Sequence, residues 1–161
     1  MKKRKKQVFH WFLWAAFLFY LLALVDLIIF KYSGARTREI LSHWSVDAVR
    51  AHAETANYTP FRMIQLYLRH WEKIPKLAFA NLVYNVTAFF PFGILVPMLR
   101  RGRRYLIPTV LGAFLFSLFL ETVQLVTLLG EFDVDDMILN TLGAVIGMIG
   151  YAIVKKLWNE K

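Results

Sequence analysis

Hydrophobic residues in this chain are concentrated in four long runs that are separated by shorter polar segments. The runs cover residues 8–30, 77–99, 105–129 and 137–154. A helix needs about 20 apolar residues to cross the hydrocarbon core of a bilayer, and each run is close to that length or exceeds it. The pattern therefore predicts an all-α integral membrane protein with one domain, residues 1–161, built as a bundle of four helices.

The segment between the first two runs, residues 31–76, is predicted to be a partly helical loop. Residues 36–55 have helical character and a mixed polar surface. Between Pro60 and Pro75, apolar residues recur at helical spacing, at Phe61, Ile64, Leu68 and Trp71. This second helix would lie in the membrane interface or pack on the ends of the spans, and the sequence leaves both interpretations open.

The distribution of charge predicts how the spans are oriented. The chain is 58% hydrophobic with a net charge of +9, and basic blocks at residues 2–6, 100–104 and 155–156 each adjoin an apolar run. Lys and Arg next to spans favour the cytoplasmic side. Both termini are therefore predicted inside and residues 31–76 outside, in a multi-pass protein of the plasma membrane. This placement argues against a nucleic-acid partner, and the absence of cysteine excludes disulfides and thiolate chemistry.

Polar side chains that are costly in lipid occur in the outer halves of the last three runs. They are Asn81 and Asn85 in the second, Glu121 and Gln124 in the third, and Asp136 and Asn140 at the start of the fourth. Because residues three or four apart share a helix face, the alternating spans bring these side chains to one depth. Ionisable groups inside a membrane usually face the bundle interior and mark a functional path. The pattern predicts a polar pocket that is open to the outside.

Simpler roles remain open for several of these residues. Asn81 and Asn85 would hold helices together if their amides formed hydrogen bonds between spans. One of the three acids before the fourth run, Asp133, Asp135 or Asp136, would cap that helix, since carboxylates suit a helix N-terminus.

Metal binding is an open alternative, although no cofactor is predicted. Glu121, Asp133 and Asp136 are the candidate ligands of a divalent cation, because magnesium, calcium and manganese prefer oxygen ligands. The four histidines have no zinc spacing, and the chain contains no glycine-rich phosphate loop, nucleophile elbow or H-E-x-x-H motif. Gly143 and Gly147 form a GxxxG pattern, which allows close helix packing within the chain or a homodimer.

Four segments resemble the VanZ-like family of small bacterial membrane proteins. They are NYTPF at residues 57–61, NLVYNVTAFFPFGILVP at 81–97, ETVQ at 121–124 and FDVDDMILNTLGAVIG at 132–147. The resemblance implies a multi-span helical protein of the bacterial plasma membrane, and the founding members are linked to low-level resistance to the glycopeptide antibiotic teicoplanin. One position departs from the family pattern, because Glu131 stands where members often have an arginine.

Two functions from different classes are compatible with these residues, so the sequence leaves open whether the protein is an enzyme. In the first, the pocket binds a membrane lipid headgroup, a lipid-linked cell-wall precursor or a lipoglycopeptide. In the second, Glu121 is the general base of an enzyme acting on a lipid phosphate, and Arg62 contacts the phosphate. The candidate ligand-binding residues are Asn57, Arg62, Asn81, Asn85, Glu121, Gln124, Asp133, Asp135, Asp136 and Asn140.

Overall fold

Seven α-helices form the described part of the chain, which in this computed structural model is residues 2–29, 32–100 and 104–159. They are α1 Lys2–Ile29, α2 Gly34–Ser42, α3 Val46–Thr55, α4 Arg62–Arg69, α5 Pro75–Arg100, α6 Leu106–Thr127 and α7 Val134–Asn159. No strand occurs within these ranges. The all-α class predicted from the sequence is confirmed.

Four of the helices are long and apolar enough to cross a membrane. These spans are Arg4–Ile29, Pro75–Arg100, Leu106–Thr127 and Val134–Trp158. They coincide with the four predicted runs to within a few residues. The predicted boundary between the first run and the loop, at residues 30 and 31, lies outside the described residues. So does most of the basic block at 100–104, of which residues 101–103 are not described.

The loop after α1 contains three short helices rather than two. The predicted helical segment 36–55 is divided into α2 and α3, because Ser45 caps α3. Its Oγ accepts a hydrogen bond from the Ala48 N–H at 3.0 Å, and this satisfies a donor that the helix itself cannot pair. We call the end of the bundle that carries α2, α3 and α4 the loop-helix end.

The α2–α3 segment is attached to the last turn of α6 and to the residues that follow it. Trp44 Nε1 donates to the Val126 carbonyl at 2.7 Å, and His52 Nε2 lies 2.6 Å from the Gly130 carbonyl oxygen. The last carbonyls of a helix have no partner within the helix, so they are available to these side chains. The α2–α3 segment thus covers the end of α6 at the loop-helix end.

Helices α5 and α7 are packed so closely that glycine is required on both. A Cβ atom on Gly143 would lie 2.1 Å from the Val86 carbonyl oxygen, and one on Gly93 would lie 1.9 Å from that of Ala144. Gly147 would meet the Phe90 carbonyl at 2.1 Å. The GxxxG face is therefore covered by α5 within the chain. A homodimer through Gly143 and Gly147 would have to displace this helix.

Helix α1 packs against the other spans at two positions along its length. At the level of its middle it contacts α5, where the rings of Phe17 and Phe92 are 5.5 Å apart and Tyr20 Oη donates to the Ala88 carbonyl at 2.7 Å. Near its C-terminal end it contacts α6, where Gln124 Nε2 donates to the Ile28 carbonyl at 3.2 Å. This shift of partner from α5 to α6 separates α1 from α5 towards the loop-helix end.

Candidate functional site

A cavity of about 560 Å³ lies between α1, α5, α6 and α7 near the loop-helix end. Its polar lining residues are Asn81, Asn85, Thr87, Glu121, Gln124, Asp136 and Asn140. The six polar residues that the sequence placed at one depth in three spans therefore all line one cavity. Sequence reasoning missed Tyr84 and Thr87, which also line it. Tyr84 follows Asn81 by three positions and Thr87 follows Tyr84 by three, and this helical spacing was a signal that could have found them.

The buried carboxylate of Glu121 is held by the backbone at the start of α7. Its side chain is only 2% exposed, and its Oε2 accepts a hydrogen bond from the Asp133 N–H at 3.0 Å. A helix N-terminus carries a partial positive charge and unpaired N–H groups, both of which stabilise a carboxylate. This arrangement explains why an otherwise apolar span tolerates an ionisable side chain.

The two residues of α7 in the cavity are held by different partners. Asp136 Oδ1 accepts from Asn85 Nδ2 of α5 at 2.5 Å. Asn140 is 2% exposed, and its Nδ2 donates to Ser117 Oγ of α6 at 2.9 Å. Asn140 Oδ1 has no hydrogen-bond partner among the described residues. A buried amide oxygen without a partner is costly, so it is a natural contact for a guest in the cavity.

The two asparagines of α5 differ in what their amides do. Asn85 forms the bond to Asp136 between α5 and α7, so it does link two spans. Asn81 Nδ2 donates instead to the Leu77 carbonyl of its own helix at 3.0 Å. The simpler interpretation, in which these amides hold helices together, therefore applies to Asn85. It does not apply to Asn81, whose hydrogen bond stays within its own helix.

Asp133 lies outside the cavity and joins the loop to α7. Its Oδ1 accepts from the Asp135 N–H at 2.8 Å, as an N-cap does, which confirms that one of the three acids caps the last helix. The same oxygen accepts from Asn57 Nδ2 at 2.7 Å. Asn57 also forms an isolated parallel β-bridge with Asp133, in which the Asn57 N–H donates to the Phe132 carbonyl at 2.9 Å.

Asp135 caps a different helix, α4, across the fold. It is 1% exposed, its Oδ1 accepts from the Phe61 N–H, and its Oδ2 accepts from those of Met63 at 2.7 Å and Ile64 at 3.1 Å. Phe61, which precedes α4, has a left-handed backbone with φ of 65° and provides no side-chain cap. The carboxylate thus supplies the missing cap and offsets the cost of this backbone conformation.

Burial and neighbouring acids change the acidity of groups at the loop-helix end. The pKa of the Asp133 carboxyl is raised, mainly by burial, with smaller contributions from the charges of Asp135 and Glu131. Its hydrogen bonds from Asn57 and the Asp135 N–H oppose this increase. The pKa of the Tyr67 hydroxyl is also raised, by burial and by the nearby carboxylates. The cavity's loop-helix end is thus bordered by closely spaced acids.

The structure does not bring Arg62 into the cavity. Arg62 is exposed at the first position of α4 and is not a lining residue. Within the described ranges, no group of three or more His, Asp or Glu side chains is arranged to hold a metal ion. Asp133 and Asp135 use their oxygens to accept backbone N–H groups, as described above, and a divalent cation remains a prediction.

The fold and the cavity together define a class: a multi-pass helical membrane protein with a polar cavity between its spans. The chain belongs to the VanZ/LLP1 family, whose sequence model matches residues 17–155. It is also similar to Protein VanZ of Enterococcus faecium, with 27% identity over 142 residues that cover 88% of this chain and 74% of the relative. No solved structure matches the chain.

Proposed function

We propose that this protein contributes to glycopeptide resistance by binding a lipid headgroup, a lipid-linked cell-wall precursor or teicoplanin itself in the cavity. The loop-helix end would then face the outside of the plasma membrane. The observation that carries the proposal is the buried carboxylate of Glu121 in a cavity that Asp136 and four amide side chains also line. Membership of the VanZ/LLP1 family supports the link to resistance.

The dimensions and chemistry of the cavity suit a polar headgroup. Its volume of about 560 Å³ is within the range of roughly 300–1,000 Å³ that is usual for small-molecule sites. Carboxylates accept hydrogen bonds from ammonium and hydroxyl groups, and amides orient a guest by donating and accepting. The apolar tail of an amphiphile would remain among the lipid chains of the bilayer, so binding of the headgroup would not require the tail to leave an apolar environment.

Catalysis on a lipid phosphate is the alternative function, and the residues that line the cavity support it less well than they support binding. Glu121 would be the general base, but Arg62, the candidate phosphate contact, is not among the lining residues. The described lining contains no Lys, Arg or His to hold a phosphate. Incubating the purified protein with lipid phosphates tests this alternative. Turnover that Glu121→Gln abolishes would replace binding by catalysis as the proposed function.

Teicoplanin susceptibility of a sensitive Gram-positive host tests the proposal directly. The host would carry an empty vector, the wild-type protein, Glu121→Gln or the matched control Glu72→Gln, at equal membrane abundance. Glu72 is an exposed carboxylate outside the cavity, so its substitution makes the same chemical change elsewhere. We expect protection by the wild type and by Glu72→Gln, and loss of protection by Glu121→Gln.

The remaining outcomes are equally informative. If Glu121→Gln protects as well as the wild type, the cavity is not the working part of the protein. If the wild-type protein gives no protection, the proposed role in resistance is wrong for this chain.

A further inference from the structure

The cavity has its mouth on the side of the bundle, between α1 and α5. Two of its lining residues, Leu27 of α1 and Tyr84 of α5, are 67% and 66% exposed, while Ile28 and Ala88 beside them are partly buried. Ala80, Tyr84 and Thr87 recur at helical spacing along this edge of α5. Because these positions belong to apolar spans, the mouth faces the space that lipid chains occupy.

The contacts that α1 makes with α5 and α6 explain why the cavity opens between α1 and α5. Below it, α1 is fixed to α5 by the Phe17–Phe92 ring contact and the Tyr20 hydrogen bond, which close the groove. Above these contacts α1 follows α6 instead, through the bond from Gln124 to the Ile28 carbonyl. The two helices thus diverge and leave a lateral portal, which we define by Leu27, Ala80, Tyr84 and Thr87.

The inner wall presents acceptor atoms. Ser117 reaches only one polar atom of the Asn140 amide, so the other is buried in the cavity wall without a partner. Glu121 and Asp136 add carboxylate oxygens. Carboxylate and carbonyl oxygens favour a guest that donates hydrogen bonds, and most of all one with a positive charge.

We infer that the occupant is an amphiphile with an ammonium headgroup and an acyl chain, and that it reaches the cavity sideways from the bilayer through the portal. The head contacts Asn140, Glu121 and Asp136, and the chain leaves between Leu27 and Tyr84. This inference deepens the proposed function and rests on it, because it names the ligand class of the same cavity. An aminolipid of the membrane and an acylated, amine-bearing antibiotic share this chemistry.

Photochemical labelling of the full chain in phosphatidylcholine vesicles tests the inference. The probe is phosphatidylethanolamine with a diazirine in its acyl chain, and the matched probe has its amine acetylated. We expect the amine probe to label the peptides containing Leu27 and Tyr84 about 10- to 100-fold more than the acetylated probe, the ratio expected for one hydrogen bond between charged groups. Ala80→Trp should remove this labelling, while Ala15→Trp, on the exposed surface of α1, should leave it unchanged.

The competing outcomes separate the parts of the inference. Labelling spread evenly over all lipid-facing peptides, or labelling unaffected by Ala80→Trp, would overturn the lateral portal. Equal labelling by the two probes, with Asn140→Leu without effect, would overturn the ammonium head. Displacement of the probe by added teicoplanin would identify the antibiotic as an occupant, and labelling that persists would assign the cavity to the aminolipid. Because labelling needs no resistance phenotype, failure of the proposed function and failure of the portal are distinguishable.

Discussion

Replacing Gly143 by alanine tests the packing that brings the two sides of the cavity together. The new Cβ atom would lie 2.1 Å from the Val86 carbonyl oxygen, and ordinary contact begins at 3.4 Å, so α5 and α7 would have to separate by about 1.3 Å. The obstructing atom belongs to the backbone, which cannot rotate away. Overpacking of this kind costs about 1–3 kcal/mol. The movement would also stretch the bond between Asn85 and Asp136, which connects the same two helices.

The free energy of unfolding, measured in mixed micelles by titration with a denaturing detergent, gives the result. Gly150→Ala is the matched control, since it makes the same change in the same helix and its Cβ would meet only the Phe90 ring at 3.9 Å. We expect Gly143→Ala to be less stable than the wild type by about 1–3 kcal/mol, and Gly150→Ala to be neutral or slightly stabilised because alanine favours helices. Equal stability of the two variants would refute the close packing of α5 on α7.

Three further substitutions test the loop-helix end. Asp135→Asn removes the charge that caps α4, so hydrogen exchange of the amides in residues 62–69 should become about 2- to 30-fold faster, and unchanged protection would exclude this cap. Asp133 has a raised pKa in the folded protein, so the folded state holds its proton more tightly than the unfolded state. Stability should therefore fall as pH rises from the ordinary value of 3.8 through the raised pKa, and Asp133→Asn should lack this component when unfolding midpoints are measured against pH. Trp44→Phe removes the donor to the Val126 carbonyl and should cost about 0.5–1.5 kcal/mol of unfolding free energy, whereas Trp71→Phe, at a similarly exposed position with no described side-chain hydrogen bond, should not.

The spans and the composition of the cavity wall could be predicted because they depend on local pattern. Run length determines whether a helix can cross a bilayer, and spacing determines which side chains share a face. Glu121 and Gln124, three positions apart, were thus predicted to lie on one wall. The alternation of spans then placed Asn85 and Asp136 at the same depth, where the structure joins them by a hydrogen bond.

The separate roles of the three neighbouring acids could not be predicted, because they depend on contacts between distant residues. Asp135 meets the Phe61 N–H across 74 positions, and Asp133 meets Asn57 across 76. No local pattern distinguishes Asp135, which caps α4, from Asp136, which faces the cavity. The same limitation applies to Arg62, because its predicted contact with a phosphate in the pocket depended on how the loop folds.

The crowding of acids before α7 follows from the convergence of two helix N-termini. Asp133 accepts an N–H at the start of α7 and Asp135 accepts those at the start of α4, so both carboxylates have a role in the scaffold, and their contact with a ligand stays a prediction. Asp136 and Asn140, which are one turn apart on α7, line the cavity. Glu121 belongs to both groups, because it lines the cavity and accepts the Asp133 N–H. Loss of both stability and function at Asp135 would therefore report the position of α4, and the same loss at Asp133 would report the start of α7, whereas loss of function at Asn140 with stability preserved would report the ligand.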